Sequence, residues 1–294
     1  MTLYLYKMSK RTILSLCKNK LQGIKSVGVT AYDYPFARIV DTCKNIDFVI
    51  VGDTVGSTVH GIHDLNKVTM DTMVTHCEAV ARGSQRPFLI GDMPFMSYQS
   101  STQRAIENAG RLVAAGMDAV KLEGFYPEHI NSINGAGMIA MAHLGLTPQT
   151  RAKLGGYRIQ AKTSHEIDKL VRQSVEIEKA GASLLLLEAV PNDVGAIVTK
   201  ELKIPVYGIG AGNKVDGQVV IIHDLLGMFW DFTPRFIKRY ANCENVISKA
   251  LTEYASDVRN VKFPSEEYFY NLNSDELEKY LEMKSWKYLK KYDT

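Results

Sequence analysis

Hydrophobic positions in this chain are grouped into eight short, nearly continuous runs. Continuous apolar runs are typical of parallel strands buried on both faces, whereas half-exposed strands alternate apolar and polar residues. The predicted strands are residues 27–32, 47–52, 87–91, 119–122, 138–142, 184–187, 205–209 and 218–222.

Segments compatible with helix separate most of these runs. The clearest predicted helices are residues 36–44, 69–83, 102–115 and 164–180. Three segments end near Gly83, Gly116 and Gly181, where we expect left-handed caps. Repeated strand-then-helix units predict an α/β fold, a (β/α)8 or TIM barrel, with a doubly wound open sheet as the alternative.

The first 32 residues contain no acidic residue and six basic ones. This composition fits either a targeting peptide or a short amphipathic helix. We favour the helix, because no small-residue cleavage region precedes the first strand. Its apolar residues, which we expect to face the body of the protein, are Ile13, Leu14, Leu16, Cys17 and Leu21.

The C-terminal segment has the pattern of an amphipathic helix. Asn273 can cap it, and Leu277, Tyr280 and Leu281 share one face that Tyr288 rejoins. We expect residues 275–292 to pack on outer helices of the barrel or on a neighbouring subunit. The predicted division is a helical segment at 1–23, a catalytic barrel at 24–264 and a helical extension at 265–294.

Composition narrows the function classes. The 294 residues are 46% hydrophobic and 23% charged, and 35 basic against 32 acidic residues leave a net charge of +3. This small charge argues against nucleic-acid binding. No apolar run approaches the roughly 18 residues that cross a bilayer. Four dispersed cysteines fit a reducing compartment. We therefore expect a cytoplasmic protein, with organellar targeting by the basic N-terminus as the alternative.

Acidic residues follow four of the predicted strands. They are Asp53, Asp92, Glu123 and Glu188. One such residue alone is usually a helix cap or a turn former. Parallel strands, however, bring their carboxyl ends to one rim, where barrel enzymes have their active sites. We therefore expect the four carboxylates to converge.

Three of these carboxylates, Asp53, Asp92 and Glu123, suggest a metal site. Clustered carboxylates repel one another unless a cation compensates, and Mg²⁺ prefers oxygen ligands. The absence of a Cys or closely spaced His cluster argues against zinc. Lys121 is two residues before Glu123 and faces the same side of its strand. It could bind a substrate carboxylate or form a salt bridge with a neighbouring acid.

Two weaker motifs have open interpretations. The glycine-rich turn from Gly208 to Gly212 could cradle a phosphate or could be a tight turn, and it lacks a dinucleotide-binding fingerprint. His60 and His63 lie on either side of Gly61 on a predicted loop and could ligate a metal. An exposed loop position is the simpler interpretation for both histidines.

Eight ordered motifs resemble the ketopantoate hydroxymethyltransferase family. They are Thr30-Ala-Tyr-Asp33, Val51-Gly-Asp-Thr54, Asp92-Met-Pro-Phe-Met96, Val120-Lys-Leu-Glu-Gly124, His143-Leu-Gly-Leu-Thr-Pro-Gln149, Gly155-Gly-Tyr157, Leu187-Glu-Ala-Val-Pro191 and Gly208-Ile-Gly-Ala-Gly-Asn213. The resemblance covers about residues 10–264. It implies a (β/α)8 barrel of the phosphoenolpyruvate/pyruvate superfamily type.

The resemblance also implies an activity. A hydroxymethyl group would pass from 5,10-methylenetetrahydrofolate to 3-methyl-2-oxobutanoate, giving 2-dehydropantoate and tetrahydrofolate in pantothenate and coenzyme A biosynthesis. The substrate's keto and carboxylate oxygens would chelate magnesium, which promotes enolisation. A homo-oligomer is implied as well, with no nucleic-acid or membrane partner.

Site residues carry over from the family by position. The implied magnesium ligands are Asp53, Asp92 and Glu123. The implied oxoacid-binding residues are Asp53, Thr54, Asp92 and Lys121. The implied catalytic acid/base is Glu188, which would move a proton at the substrate carbon or at the folate nitrogen. His143 and Tyr32 are expected to line the pocket.

The sequence departs from the family pattern in three places. Thr54 stands where the family usually has Ser, and the stretch 125–136 differs from the usual family helix and is rich in Gly and Asn. The tail 265–294 is expected to extend past the common end of the family. These departures bear on substrate fit and assembly rather than on the reaction.

Two other functions compete with the transferase. One is a carbon–carbon lyase or phosphonopyruvate-type enzyme on the same barrel. The other is a non-catalytic binding protein with a basic tail. From residue 275 to 294, however, five acids balance five lysines, so that the tail is neutral.

Overall fold

Eight parallel strands close into a barrel in the computed structural model, which describes residues 9–229 and 234–282. The strands are β1 (Ser26–Thr30), β2 (Phe48–Val51), β3 (Phe88–Asp92), β4 (Ala119–Glu123), β5 (Ile139–Gly145), β6 (Leu184–Glu188), β7 (Val206–Ile209) and β8 (Gly217–Val220). All eight predicted strands are therefore confirmed.

Closure of the sheet excludes the doubly wound alternative. Strand β1 pairs with β2 on one side and with β8 on the other, where Val29 is in register with Val220. Every residue of β2, β3 and β4 is buried. Burial on both faces explains why these strands are continuous apolar runs in the sequence.

The described residues also form twelve α-helices. They are α1 (Ile13–Leu21), α2 (Tyr34–Thr42), α3 (Val55–Thr58), α4 (Met70–Gly83), α5 (Thr102–Ala114), α6 (Pro127–Gly135), α7 (Arg151–Leu154), α8 (Ser164–Lys179), α9 (Asn192–Glu201), α10 (Ile222–Leu226), α11 (Cys243–Arg259) and α12 (Ser274–Glu282). The four predicted helices correspond to α2, α4, α5 and α8. The unusual stretch 125–136 also forms a helix, α6.

Helix α1 covers the N-terminal end of the barrel. Leu16 is fully buried in the cluster that fills the barrel interior, together with Phe48 and Tyr207. The expectation for Leu14 and Leu21 is wrong, because their side chains are 77% and 86% exposed. At 100° per residue both lie on the face opposite Leu16. Only one narrow stripe of α1 therefore contacts the strands.

Two of the three predicted glycine caps are confirmed. Gly116 and Gly181 have φ values of +98° and +101°. Gly83 is instead the last residue of α4. A Cβ atom there would lie 2.7 Å from the Cβ of Ala37 and 2.8 Å from the carbonyl oxygen of Tyr34. Gly83 thus allows α4 to approach α2 closely.

The close approach at Gly83 leads to a stability prediction. Gly83→Ala is expected to lower the free energy of unfolding by about 1–3 kcal/mol, because the added methyl group overlaps α2. Gly110, inside α5, is a matched control, since a Cβ atom there meets nothing within 4 Å. Gly110→Ala should raise stability by roughly 0.5–1 kcal/mol. Urea denaturation of both variants tests this, and equal shifts in the two would contradict it.

The chain separates into two compact units, residues 1–241 and 242–294. The second unit contains α11 and α12. In α12 the predicted C-terminal helix is present, and Asn273 Oδ1 accepts a hydrogen bond from the backbone N–H of Asp275. Residues 283–292 of that predicted helix lie outside the described residues. Its docking and the three-part division at 23 and 264 remain predictions. Within the described ranges no helix is both long and apolar enough to cross a membrane.

Candidate active site

The carboxyl rim of the barrel brings the predicted site residues together. Asp92 and Glu188 end β3 and β6, and Asp53 follows β2 by two residues. The rim residues with an exposed fraction of 5% or less are Asp53, Asp92, Lys121, Glu123 and His143. Charges that are buried this deeply need partners.

An ion pair occupies the centre of the rim. The Lys121 ammonium lies 2.6 Å from Asp92 Oδ1, and Asp92 Oδ2 accepts a hydrogen bond of 3.0 Å from the backbone N–H of Asp53. Burial by itself lowers the pKa of Lys121, but the carboxylates of Asp92, Glu123 and Asp53 outweigh it and raise the pKa above its usual value. Lys121 is therefore charged, and the salt-bridge interpretation of this residue is confirmed.

Two carboxyl groups at the rim, those of Asp92 and Glu123, are harder to ionise than usual. Burial raises the pKa of Asp92 to about 6, with Lys121 opposing and Asp53 adding to the shift. Burial raises the pKa of Glu123 well above its usual value, although Lys121 partly offsets this effect. The rim thus holds four carboxyl groups but only one ammonium group, too little positive charge to compensate all four carboxylates.

Gln149 links two of these carboxylates. Its side-chain amide donates to Asp53 Oδ2 at 2.9 Å, and its backbone N–H donates to Glu123 Oε1 at 2.6 Å. The hydroxyl of Tyr98 donates to the carbonyl oxygen of Glu123 at 2.7 Å and fixes the end of β4. Sequence reasoning missed both residues, although Gln149 belongs to the quoted run beginning at His143.

His143 is neutral and has a defined tautomer. Burial, followed by the charge of Lys121, lowers the pKa of His143 well below its usual value. The Lys121 ammonium can only donate, and it lies 3.3 Å from His143 Nδ1, which must accept. The proton is therefore on Nε2, which lies 3.1 Å from Glu188 Oε2 but outside hydrogen-bond geometry.

Glu188 has the electrostatics of a proton-transfer group. Burial raises its pKa to about 7, and Lys121 partly opposes the shift. A carboxyl group with a pKa near the working pH can both accept and return a proton. This is the property expected of the predicted acid/base.

Thr54 and Tyr32 form a hydroxyl pair beside the ion pair. Their oxygens are 2.6 Å apart, and Tyr32 is fully buried. A Cβ atom at Gly52 would lie 2.8 Å from the Thr54 hydroxyl and 3.4 Å from Asp92 Oδ2. The glycine therefore allows the side chains of Thr54 and Asp92 to lie close to the backbone. The role of Tyr32 as a pocket residue remains a prediction.

The weaker motifs lie elsewhere. Gly210 and Gly212 have φ values of +69° and +79°, and a Cβ atom at Gly212 would lie 2.1 Å from Asn192 Oδ1. These contacts support the tight-turn interpretation. His60 and His63 are exposed in a loop, and His60 Nε2 lies 2.8 Å from His76 Nε2.

Within residues 9–229 and 234–282, no group of three or more His, Cys, Asp or Glu side chains is arranged to hold a metal ion. Magnesium sites, however, commonly use one or two carboxylates, with water and substrate oxygens as the other ligands. Asp53 and Asp92 are adjacent buried oxygen donors in a site where four carboxyl groups have only one ammonium group, that of Lys121, to compensate them. The residues present fit magnesium, and the assignment of Asp53, Asp92 and Glu123 as its ligands remains a prediction.

Comparison with known proteins agrees with this chemistry. The family model described as ketopantoate hydroxymethyltransferase matches residues 10–266. A 3-methyl-2-oxobutanoate hydroxymethyltransferase of Caldicellulosiruptor bescii is 43% identical over 265 residues, which cover 90% of this chain and 100% of the relative. A relative of the same name from Thermotoga neapolitana is 46% identical over 248 residues, which cover 84% of this chain and 92% of the relative.

Solved structures support the fold. A phosphonopyruvate hydrolase in complex with oxalate and magnesium has a TM-score of 0.57 at 16% identity and covers 94% of this chain and 99% of its own. A 2,3-dimethylmalate lyase of the PEP mutase/isocitrate lyase superfamily has a TM-score of 0.56 at 14% identity, with coverage of 95% and 97%. At this identity the similarity concerns the barrel architecture alone.

Proposed function

The chain belongs to the ketopantoate hydroxymethyltransferase family and is a hydroxymethyltransferase of pantothenate biosynthesis, and we propose that its substrates are 3-methyl-2-oxobutanoate and 5,10-methylenetetrahydrofolate. The products would be 2-dehydropantoate and tetrahydrofolate, with one water consumed. The observation that carries this proposal is the buried rim, where one ammonium group faces four carboxyl groups.

The oxoacid would bind at the ion pair. Lys121 is charged and buried, and it can donate to a substrate carboxylate in addition to Asp92. The Thr54 hydroxyl offers a further donor beside it. Asp53 and Asp92, with Glu123, would hold a magnesium ion. When bound, that ion would act as a Lewis acid on the keto oxygen of the substrate.

Proton transfer would fall to Glu188. Its carboxylate would remove the proton at C3 of the oxoacid, and C3 would then form the new carbon–carbon bond to the one-carbon unit. The two C–N bonds that hold this unit in the folate would break, and water would supply the hydroxyl oxygen. The proton from C3 and one proton from that water would end on the two folate nitrogens. His143 Nε2 lies 3.1 Å from the Glu188 carboxylate. Because His143 stays neutral, it would not cancel the charge that Glu188 needs as a base.

We further propose that the enzyme works as a cytoplasmic homo-oligomer. Cys17, Cys43, Cys77 and Cys243 are all free thiols, as a reducing compartment requires. In α11, the apolar side chains of Val246 and Leu251 are 69% and 63% exposed, which is typical of a surface buried on self-association. Sedimentation of the purified chain measures the size of that assembly.

One assay tests the reaction. Purified protein is incubated with 3-methyl-2-oxobutanoate, methylenetetrahydrofolate and magnesium, and 2-dehydropantoate is measured by mass spectrometry. Formation should require all three additions. Phosphonopyruvate and 2,3-dimethylmalate serve as alternative substrates in parallel reactions. Turnover of either of these, with no dehydropantoate formed, would replace the transferase by the hydrolase or lyase alternative.

A further inference from the structure

A cavity of about 530 Å³ opens beside the rim. It is lined by the segments that follow β4 and β5 and by one side of α8. Its volume lies within the range of roughly 300–1,000 Å³ that is usual for small-molecule sites. Glu123 is one of the residues in its wall, so the cavity adjoins the rim described above.

The end of the cavity at Glu123 is aromatic and rigid. Phe125 and Tyr126 line it. The Tyr126 ring packs edge-to-face on Tyr98, with centroids 5.3 Å apart, and the Tyr98 hydroxyl is bonded to the Glu123 carbonyl. Gly124 has a φ of +104°, and a Cβ atom there would lie 2.9 Å from the Tyr126 ring. The Tyr126 ring is thus held in place relative to the Glu123 backbone, and with Phe125 it offers an apolar surface to a flat heterocycle.

Another part of the lining is cationic. Lys153 of α7 and Lys169 of α8 line the cavity, and both are exposed. No side chain in the described part of the protein forms an ion pair with either lysine. Asp168, next to Lys169 in sequence, forms an ion pair with Arg172 instead. Glu166, which also lines the cavity, has a carboxylate oxygen that accepts hydrogen bonds from the backbone N–H groups of Lys162 and Thr163 at 2.8 and 3.0 Å. It is engaged in capping α8, so both ammonium groups remain available for an anion.

We propose that this cavity binds the folate co-substrate, with the pteridine ring against Phe125 and Tyr126 and the glutamyl carboxylates on Lys153 and Lys169. The assignment rests on the proposed function, because it takes methylenetetrahydrofolate as the donor. A flat heterocycle joined to an acidic tail matches an aromatic wall and a pair of free cations in one cavity. Glu123 borders both spaces, so the one-carbon unit enters the rim beside it.

The assignment of the two lysines predicts a dependence on tail charge. The wild-type KM for methylenetetrahydrofolate should be lower with three glutamates than with one, since the longer tail offers more carboxylates. In Lys153→Met and Lys169→Met, the KM for the triglutamate form should rise about fivefold each, because an exposed ion pair is lost. The double variant should lose the preference for the longer tail. The kcat and the KM for the oxoacid should stay unchanged.

Lys179→Met is the matched control, because Lys179 is an exposed lysine of α8 that does not line the cavity. Equilibrium dialysis measures the binding of 5-formyltetrahydrofolate directly, and this measurement needs no turnover. Weaker binding in the double variant but not in the control supports the assignment. An unchanged dissociation constant and an unchanged folate KM in an active double variant would overturn it and leave the proposed reaction intact. Failure of wild-type protein to form dehydropantoate would instead contradict the reaction itself.

Discussion

Replacement of Glu188 with glutamine is expected to lower kcat by about 10²–10⁴-fold while leaving the affinities for oxoacid and magnesium nearly unchanged. Glutamine has the same shape but cannot take a proton. Glu188 does not contact the Lys121–Asp92 pair, so ligand binding at that pair should persist. Steady-state kinetics and magnesium titration measure both quantities. Glu201→Gln, at an exposed position at the end of α9, is the control. Unchanged turnover would remove Glu188 from the mechanism.

The raised pKa of Glu188 predicts how the wild-type rate and the stability of the folded state change with pH. Because the pKa of Glu188 in the folded protein is about 7, the wild-type rate should fall as pH drops below 7 and the base becomes protonated. The unfolded chain has the ordinary pKa of 4.5, so the folded state loses stability as pH rises from about 4.5 to 7. Glu188→Gln avoids that loss, which is roughly 3 kcal/mol.

Melting temperatures of wild type and Glu188→Gln at pH 5 and pH 8 measure this effect. The melting temperature of the variant should exceed that of the wild type clearly at pH 8 and much less at pH 5. A constant difference between the two proteins across this range would mean that the carboxyl group titrates normally in the folded state.

Asp92→Asn is expected to lower both stability and magnesium affinity. The substitution removes the direct partner of a buried ammonium group, and breaking such a pair costs about 3–5 kcal/mol. The asparagine oxygen can still accept from the N–H of Asp53, but its amide group would then face Lys121. Activity at limiting magnesium should fall further than activity at saturating magnesium, because one anionic ligand is lost.

Asp71 provides a matched control for Asp92. It forms an ion pair with Arg111, but its side chain is 86% exposed. Asp71→Asn should therefore cost less than about 1 kcal/mol. Thermal unfolding and the magnesium concentration for half-maximal activity distinguish the two variants. Wild-type values of both quantities in Asp92→Asn would refute its assignment as a ligand.

The sequence predicts the barrel because burial on both faces leaves a continuous apolar run. It also predicts the four rim carboxylates, since the ends of parallel strands meet at one edge. Gln149 could not be predicted in this way. Its bond to Asp53 joins positions 96 residues apart, and loop residues have no periodicity that would indicate a partner.

The errors in the sequence interpretation have a common physical cause. An apolar residue on a short helix, such as Leu14, does not indicate how much of that helix contacts the barrel. A glycine at a helix end, such as Gly83, can serve either a left-handed cap or a close helix contact. Only tertiary packing distinguishes these cases, and a single sequence does not contain that information.

Closure of the barrel between β1 and β8 has a consequence for synthesis of the protein. Strand β1 pairs with β2 on one side, and on its other side residues 26–29 pair with residues 217–220 of β8. During translation, β1 therefore leaves the ribosome long before β8 exists, and one edge of the growing sheet stays unpaired. Such edges can pair with other chains. The last ladder also joins parts of the chain far apart in sequence, a type of contact associated with slow folding. The interval before residue 220 emerges is thus when a nascent chain is most exposed to aggregation and most dependent on chaperones.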